Sequence, residues 1–140
     1  MEFSLRFDLE SLEISHSGSI WGGVWIESAD VRFPEYGWND MAVAFTCELL
    51  SALKAAREGG TPTRRIRFYD GPFWLIVGSS AATGLTVKME SPGSSRTMQA
   101  IPTSEAVEAA LQSASGLLDA CLARHWGDNP DVRRLSAIVA

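Results

Sequence analysis

The stretch RRIRFYDGPFWLIVG, residues 64–78, alternates apolar and polar side chains on both sides of an Asp-Gly pair. Asp-Gly between alternating runs signals a β-hairpin, because a type I′ turn needs positive φ at both central positions. A two-residue loop at Asp70-Gly71 sets Phe68 opposite Phe73, Arg67 opposite Trp74 and Ile66 opposite Leu75. Residues opposed across an antiparallel pair share a face. Ile66, Phe68, Phe73, Leu75 and Val77 are therefore expected to enter a core. Arg65, Arg67, Tyr69, Trp74 and Ile76 are expected to point the other way. A chain with this hairpin has a sheet with one buried face and one basic, aromatic face.

The rest of the chain extends that frame. Phe3, Leu5 and Phe7 alternate as a half-buried strand does, and Leu12 to Ser15 reads as a second one. Ile20 to Phe33 reads as one long strand, bent or interrupted. In it, Gly22 and Gly23 mark a bulge or a close backbone approach. Asn39 or Asp40 is the expected N-cap of a helix reaching Glu58, with Met41, Phe45, Leu49 and Leu53 on its buried side. Its polar side predicts a surface helix. Leu85 to Met89 and Arg96 to Ile101 continue the sheet, with Lys88 on the outward face. Thr103 or Ser104 caps a second long helix, whose apolar stripe runs to Leu122 and His125. The tail, 128–140, is expected to form a short terminal helix. Residues 1–140 fit a single domain, since 46% of them are hydrophobic and 21% charged. The expectation is α+β, two-layer, with a mainly antiparallel sheet of about six to seven strands and two long helices on one face.

The chemistry is narrower. A net charge of −5 argues against general binding of nucleic acid or anionic membranes. No apolar run approaches the roughly 20 residues that span a bilayer. The start, MEFSLRFDLE, lacks the pattern of a signal peptide. Cys47 and Cys121 fall in helical patterns and read as small buried hydrophobes of a reducing compartment, so a cytoplasmic location is expected. His16 and His125 stand far apart, with no Cys-x-x-Cys or His-Glu-x-x-His spacing, so no metal site is expected. GSSAATG lacks the Lys-Ser/Thr of a phosphate loop, and no serine sits in a nucleophile elbow, so neither a cofactor nor a catalytic residue is assigned. One enzymatic alternative stays open, a small hydrolase or ligand-binding domain using loop carboxylates near Asp40 and Asp70.

Surface carries the main reading. Arg65, Arg67, Tyr69, Trp74 and Lys88 form a candidate binding face. On it, Arg67 opposite Trp74 allows a cation–π stack worth about 0.5–1 kcal/mol. Arg, Tyr and Trp are the residue types enriched at interface hot spots, which points to a protein partner or a homodimer through this sheet. A second candidate is FPEYGWND, where Glu35, Tyr36, Trp38 and Asp40 could present an aromatic tip beside carboxylates.

FPEYGWND ahead of the first helix and FYDGPFWLIV in the hairpin, with the acidic balance and small α+β layout, resemble small bacterial immunity proteins of polymorphic toxin systems. The resemblance covers a third of the chain. Such proteins act by occlusion, so it implies a non-enzymatic binding protein and transfers no catalytic residue. It also implies pairing with a basic toxin through acidic and aromatic surface, which favours Glu27, Asp30, Glu35 and Asp40.

Overall fold

The computed structural model describes residues 3–29, 31–59, 63–80 and 84–140. Its elements run β1 (Ser4–Ile14), β2 (Ile20–Ser28), β3 (Val31–Phe33), β4 (Asn39–Asp40), α1 (Ala42–Glu58), β5 (Arg64–Arg67), β6 (Trp74–Ser80), β7 (Gly84–Ser91), β8 (Ser94–Ile101), α2 (Thr103–Ala123) and α3 (Pro130–Val139). The class is α+β and both sheets are antiparallel. Instead of one sheet of six or seven strands there are, among the described residues, two four-stranded sheets; the helices are α1, α2 and the short terminal α3. The first sheet has the order β1-β2-β3, with β4 also paired to β2; the second is β5-β6-β7-β8.

Two local events account for the difference. The stretch expected as one strand from Ile20 to Phe33 doubles back, so that Ile26 pairs with Phe33 and Ser28 with Val31. Ala29 takes φ 51 at that reversal. No backbone ladder then joins β4 to β5 among the described residues; a side chain, Asp40, ties the two sheets instead.

β1 is one strand, not two. Asp8 pairs with Gly23 but Glu13 with Trp21, so extra residues of β1 bulge out between these pairs. Ser11 fills the gap in the ladder, its Oγ accepting the Gly23 amide at 2.8 Å and donating to the Asp8 carbonyl at 2.7 Å. The glycine pair lies against this bulge, as its sequence suggests. A Cβ at Gly22 would stand 2.7 Å from Leu12 Cδ2, and one at Gly23 would stand 2.8 Å from Asp8 Cβ.

α1 keeps a surface side only beyond its first turns, where Glu48, Ser51, Lys54 and Ala55 are half-buried and Arg57 and Glu58 exposed. Every residue from Ala42 to Cys47 is buried, because the helix packs against β2, β5, β6, α2 and α3 at once. Phe45 stacks on Phe68 at 4.1 Å between ring centroids. The expected side-chain caps of α1 and α2 are not used, since Met41 and Pro102 hold the N-cap positions. α2 ends at Ala123, which leaves Leu122 exposed and puts His125 beyond the helix with φ 63. Its largest fully buried side chain is Leu117. α3 occupies the tail, capped by Asn129 Oδ1, which accepts the Asp131 amide at 2.9 Å. At its other end the Lys54 ammonium donates to the Ile138 carbonyl, where a cation also meets the negative end of the helix dipole. Among the described residues no helix is long and apolar enough to cross a membrane.

Candidate protein-binding surface

The hairpin has the register that its alternation implies: Arg67 pairs with Trp74, Ile66 with Leu75 and Arg65 with Ile76. Its connection differs. Only Gly71 of the central pair has positive φ, at 91°, so the turn is not type I′. It is held from outside, because the Tyr69 and Asp70 amides both point at the Asp40 carboxylate.

The inner row of the second sheet, Ile66, Leu75, Val77, Leu85, Val87 and Met89, is buried beneath α1 and the rest of the core. The outer side has one cross-strand row of Arg65, Ile76, Lys88 and Thr97 and another of Arg67, Trp74, Glu90 and Ser95. Arg65, Arg67 and Thr97 are exposed, while Trp74, Ile76 and Lys88 are half-buried. Arg65 makes the closer stack on Trp74, 4.5 Å from the ring centroid. Arg67, directly opposite and the expected partner, stands at 5.8 Å. Glu90 was not singled out by the sequence pattern, although it is Trp74's partner on the next strand. It pairs with Arg65 at 3.1 Å and with Lys88 at 3.5 Å, which fixes both cations over the sheet.

Tyr69 does not join that face. The strand ends at Arg67, so alternation no longer sets its direction, and its hydroxyl donates to Glu48 Oε2 on α1 at 2.7 Å. Burial, then the bond to the Glu48 carboxylate, holds the phenol above its ordinary pKa.

The second candidate, Glu35 to Asp40, divides. Tyr36 is 70% exposed, tilted against Trp25 at 4.9 Å with the Arg32 guanidinium 5.7 Å away, and Glu35 beside it is exposed. Trp38 and Asp40 turn inward. Trp38 sets its ring edge-on to Phe73 at 5.0 Å and donates Nε1–H to Asp40 Oδ2 at 3.0 Å. Asp40 is 0% exposed and also accepts the Met41 amide at 2.7 Å, the Tyr69 amide at 3.0 Å and the Asp70 amide at 3.1 Å. It is a structural tie, not a surface carboxylate. Asp70 meets it through its amide, and Asp70 itself is exposed.

Glu27, favoured by the immunity resemblance, is occupied. Its carboxylate accepts Trp25 Nε1–H at 3.1 Å and pairs with Arg32 at 3.1 Å and Arg6 at 3.4 Å. Of these, the Trp25 hydrogen bond does most to hold its pKa below the ordinary value. Asp30 lies outside the described residues. A cleft of about 350 Å³ opens between β3 and the β7–β8 hairpin, lined by Arg32, Phe33, Met89 and Arg96 among others. Nothing local in sequence announces it, since its walls come from distant strands. Among the described residues no three His, Cys, Asp or Glu side chains gather as metal ligands. Comparison with known protein families, with curated proteins and with solved structures finds no match to the chain.

Proposed function

We propose that this chain is a non-enzymatic protein-binding module of the bacterial cytoplasm, an immunity or accessory protein that neutralises its partner by occlusion. The observation that carries the reading is the outer side of the second sheet, where Arg65 and Arg67 flank Trp74 beside Lys88. An indole with two guanidinium groups over its ring, on a sheet whose reverse side is core, offers rigid, amphipathic contact area. The partner surface that fits is apolar with carboxylates. That departs from the basic partner implied by the immunity resemblance alone, because Asp40 and Glu27 are taken up by internal contacts. Glu35 and Tyr36 remain for a second, smaller contact.

The test is co-purification with the products of the genes adjacent to its own, for the wild-type protein, Trp74→Ala and Arg65→Glu. Both positions lie outside the core, so the variants are expected to fold and to lose the captured partner. Capture unchanged in both would take the sheet face out of the proposal. A captured partner whose activity continues in the complex would remove the immunity role.

A further inference from the structure

The outer strand of a sheet leaves every second N–H and C=O without a partner, and natural edges are blunted by charge, brevity or cover. β1 carries exposed Asp8, Glu10 and Glu13, and α2 packs along it. β3 and β4 have three and two residues. β5 has four, three of them arginine. β8 differs from all of these. It has eight residues with Arg96 as its single charge, its ladder with β7 runs without a shift from Ser94 to Met98 and changes register beyond, and among the described elements it pairs with β7 alone. Ser94, Ser95, Arg96 and Thr97 are exposed.

The hairpin determines which of its groups face outward. Pro92-Gly93, with φ 74 at the glycine, forms a two-residue turn between the paired Ser91 and Ser94, so Ser94 takes the turn's hydrogen bond. Bonded and non-bonded pairs then alternate along an antiparallel ladder. Arg96 and Met98 bond to β7, and Ser95 and Thr97 turn their amides and carbonyls away from the sheet.

We propose that this edge pairs antiparallel with β8 of a second copy of the chain, Thr97 opposite Thr97, joining two sheets into one. Charge argues for a second copy as the occupant. Self-pairing along β1 or β5 would bring like charges together, which is unfavourable across strands. With Thr97 on the two-fold axis of β8, Arg96 falls opposite Met98 rather than opposite its own equivalent. A two-fold contact also needs only one surface. Thr97 shares its row with Ile76 and Lys88, so the Trp74 face stays open and is continued across the dimer. The inference therefore stands independently of the binding role proposed for that face.

Sedimentation velocity over a wide range of protein concentration decides it. The wild-type protein is expected to double its mass as concentration rises. Thr97→Pro removes an outward amide without touching the β7 ladder, and is expected to stay at the mass of one chain. Thr97→Lys keeps the backbone and sets two ammonium groups face to face. It is expected to stay monomeric at low salt and to regain association at high salt, which decides the matter should the proline variant fail to fold. Trp74→Ala is expected to associate like the wild type. A wild-type protein monomeric throughout, a Thr97→Lys protein that associates like the wild type at low salt, or loss of association in Trp74→Ala would each overturn the β8 contact.

Discussion

The carboxylate of Asp40 accepts the backbone amide of Tyr69 at 3.0 Å, across 29 residues of chain and the boundary between the two sheets. A fully buried carboxylate is tolerated where hydrogen bonds replace its lost water, and Asp40 collects four N–H donors. Asp40→Ala would orphan those donors and release the 68–73 turn from β4. Its cost in urea unfolding is expected to be about 3 kcal/mol or more. Asp40→Asn is expected to cost a similar amount, because its amide nitrogen would face two of the donors. A loss below about 1 kcal/mol in both would show that water can replace the carboxylate, and the tie would no longer explain the turn.

The bulge of β1 depends on a bare backbone beneath it. At Gly22 an added methyl meets Cδ2 at the far end of the Leu12 side chain at 2.7 Å, with the nearest backbone atom, Leu12 Cα, at 3.3 Å. At Gly23 it meets Asp8 Cβ, an atom fixed to the backbone of the paired strand. Gly23→Ala is thus expected to cost about 2 kcal/mol and Gly22→Ala about half of that, read as shifts in the urea midpoint. Equal costs at both positions would mean that the strands separate as a unit rather than locally.

The legible parts of this fold are those where one short-range rule acts alone. Alternation around residues 70 and 71 set the register of Arg67 with Trp74, and the Gly22-Gly23 pair pointed to the bulge. Rules that need the rest of the chain were not legible. Asp40 before a helix looks like a cap, and only folding brings the amides of residues 69 and 70 to it. Tyr69 follows alternation on paper, but the strand stops two residues earlier, and Glu48 claims its hydroxyl. The polar side of α1 contains Ala44, small enough to be buried without a visible break in pattern. The burial of residues 42–47 on all sides follows from β2, β5, β6, α2 and α3 together, which one helix's periodicity cannot report. On the candidate face, Arg65, Arg67, Trp74 and Lys88 stand where alternation put them, while the choice of Arg65 as the nearer stack follows from Glu90 on the neighbouring strand.

Thr46 is 0% exposed, and among the described residues its Oγ1 has no hydrogen-bond partner. A buried hydroxyl without a partner costs roughly 1–3 kcal/mol relative to water. Valine has nearly the same shape and a similar helix propensity. Thr46→Val is expected to raise stability by about 1 kcal/mol in urea unfolding, with the slope of the transition unchanged. Destabilisation instead would reveal that the hydroxyl is bonded in solution.

Cys47 and Cys121 are both 0% exposed, and burial pushes each thiol from 9.0 up to about 11. For Cys47 the Arg134 guanidinium offsets part of that rise. A folded pKa above the unfolded one means that the neutral thiol favours the fold. This contribution is complete below about pH 9 and disappears as pH rises toward 11, because the unfolded chain has released protons that the fold still holds. Across that interval each thiol is expected to lower the unfolding free energy by about 1.4 kcal/mol for every step of one in pH. The decisive quantity is the difference between proteins. Cys47→Ala and Cys121→Ala should each remove one thiol's share of the slope, and the double variant both. In the same range the native protein is expected to resist thiol reagents at a rate set by global unfolding. Slopes identical in all four proteins would mean that the two sulfurs meet water in the folded chain, against the packing of α1 on α2 and α3.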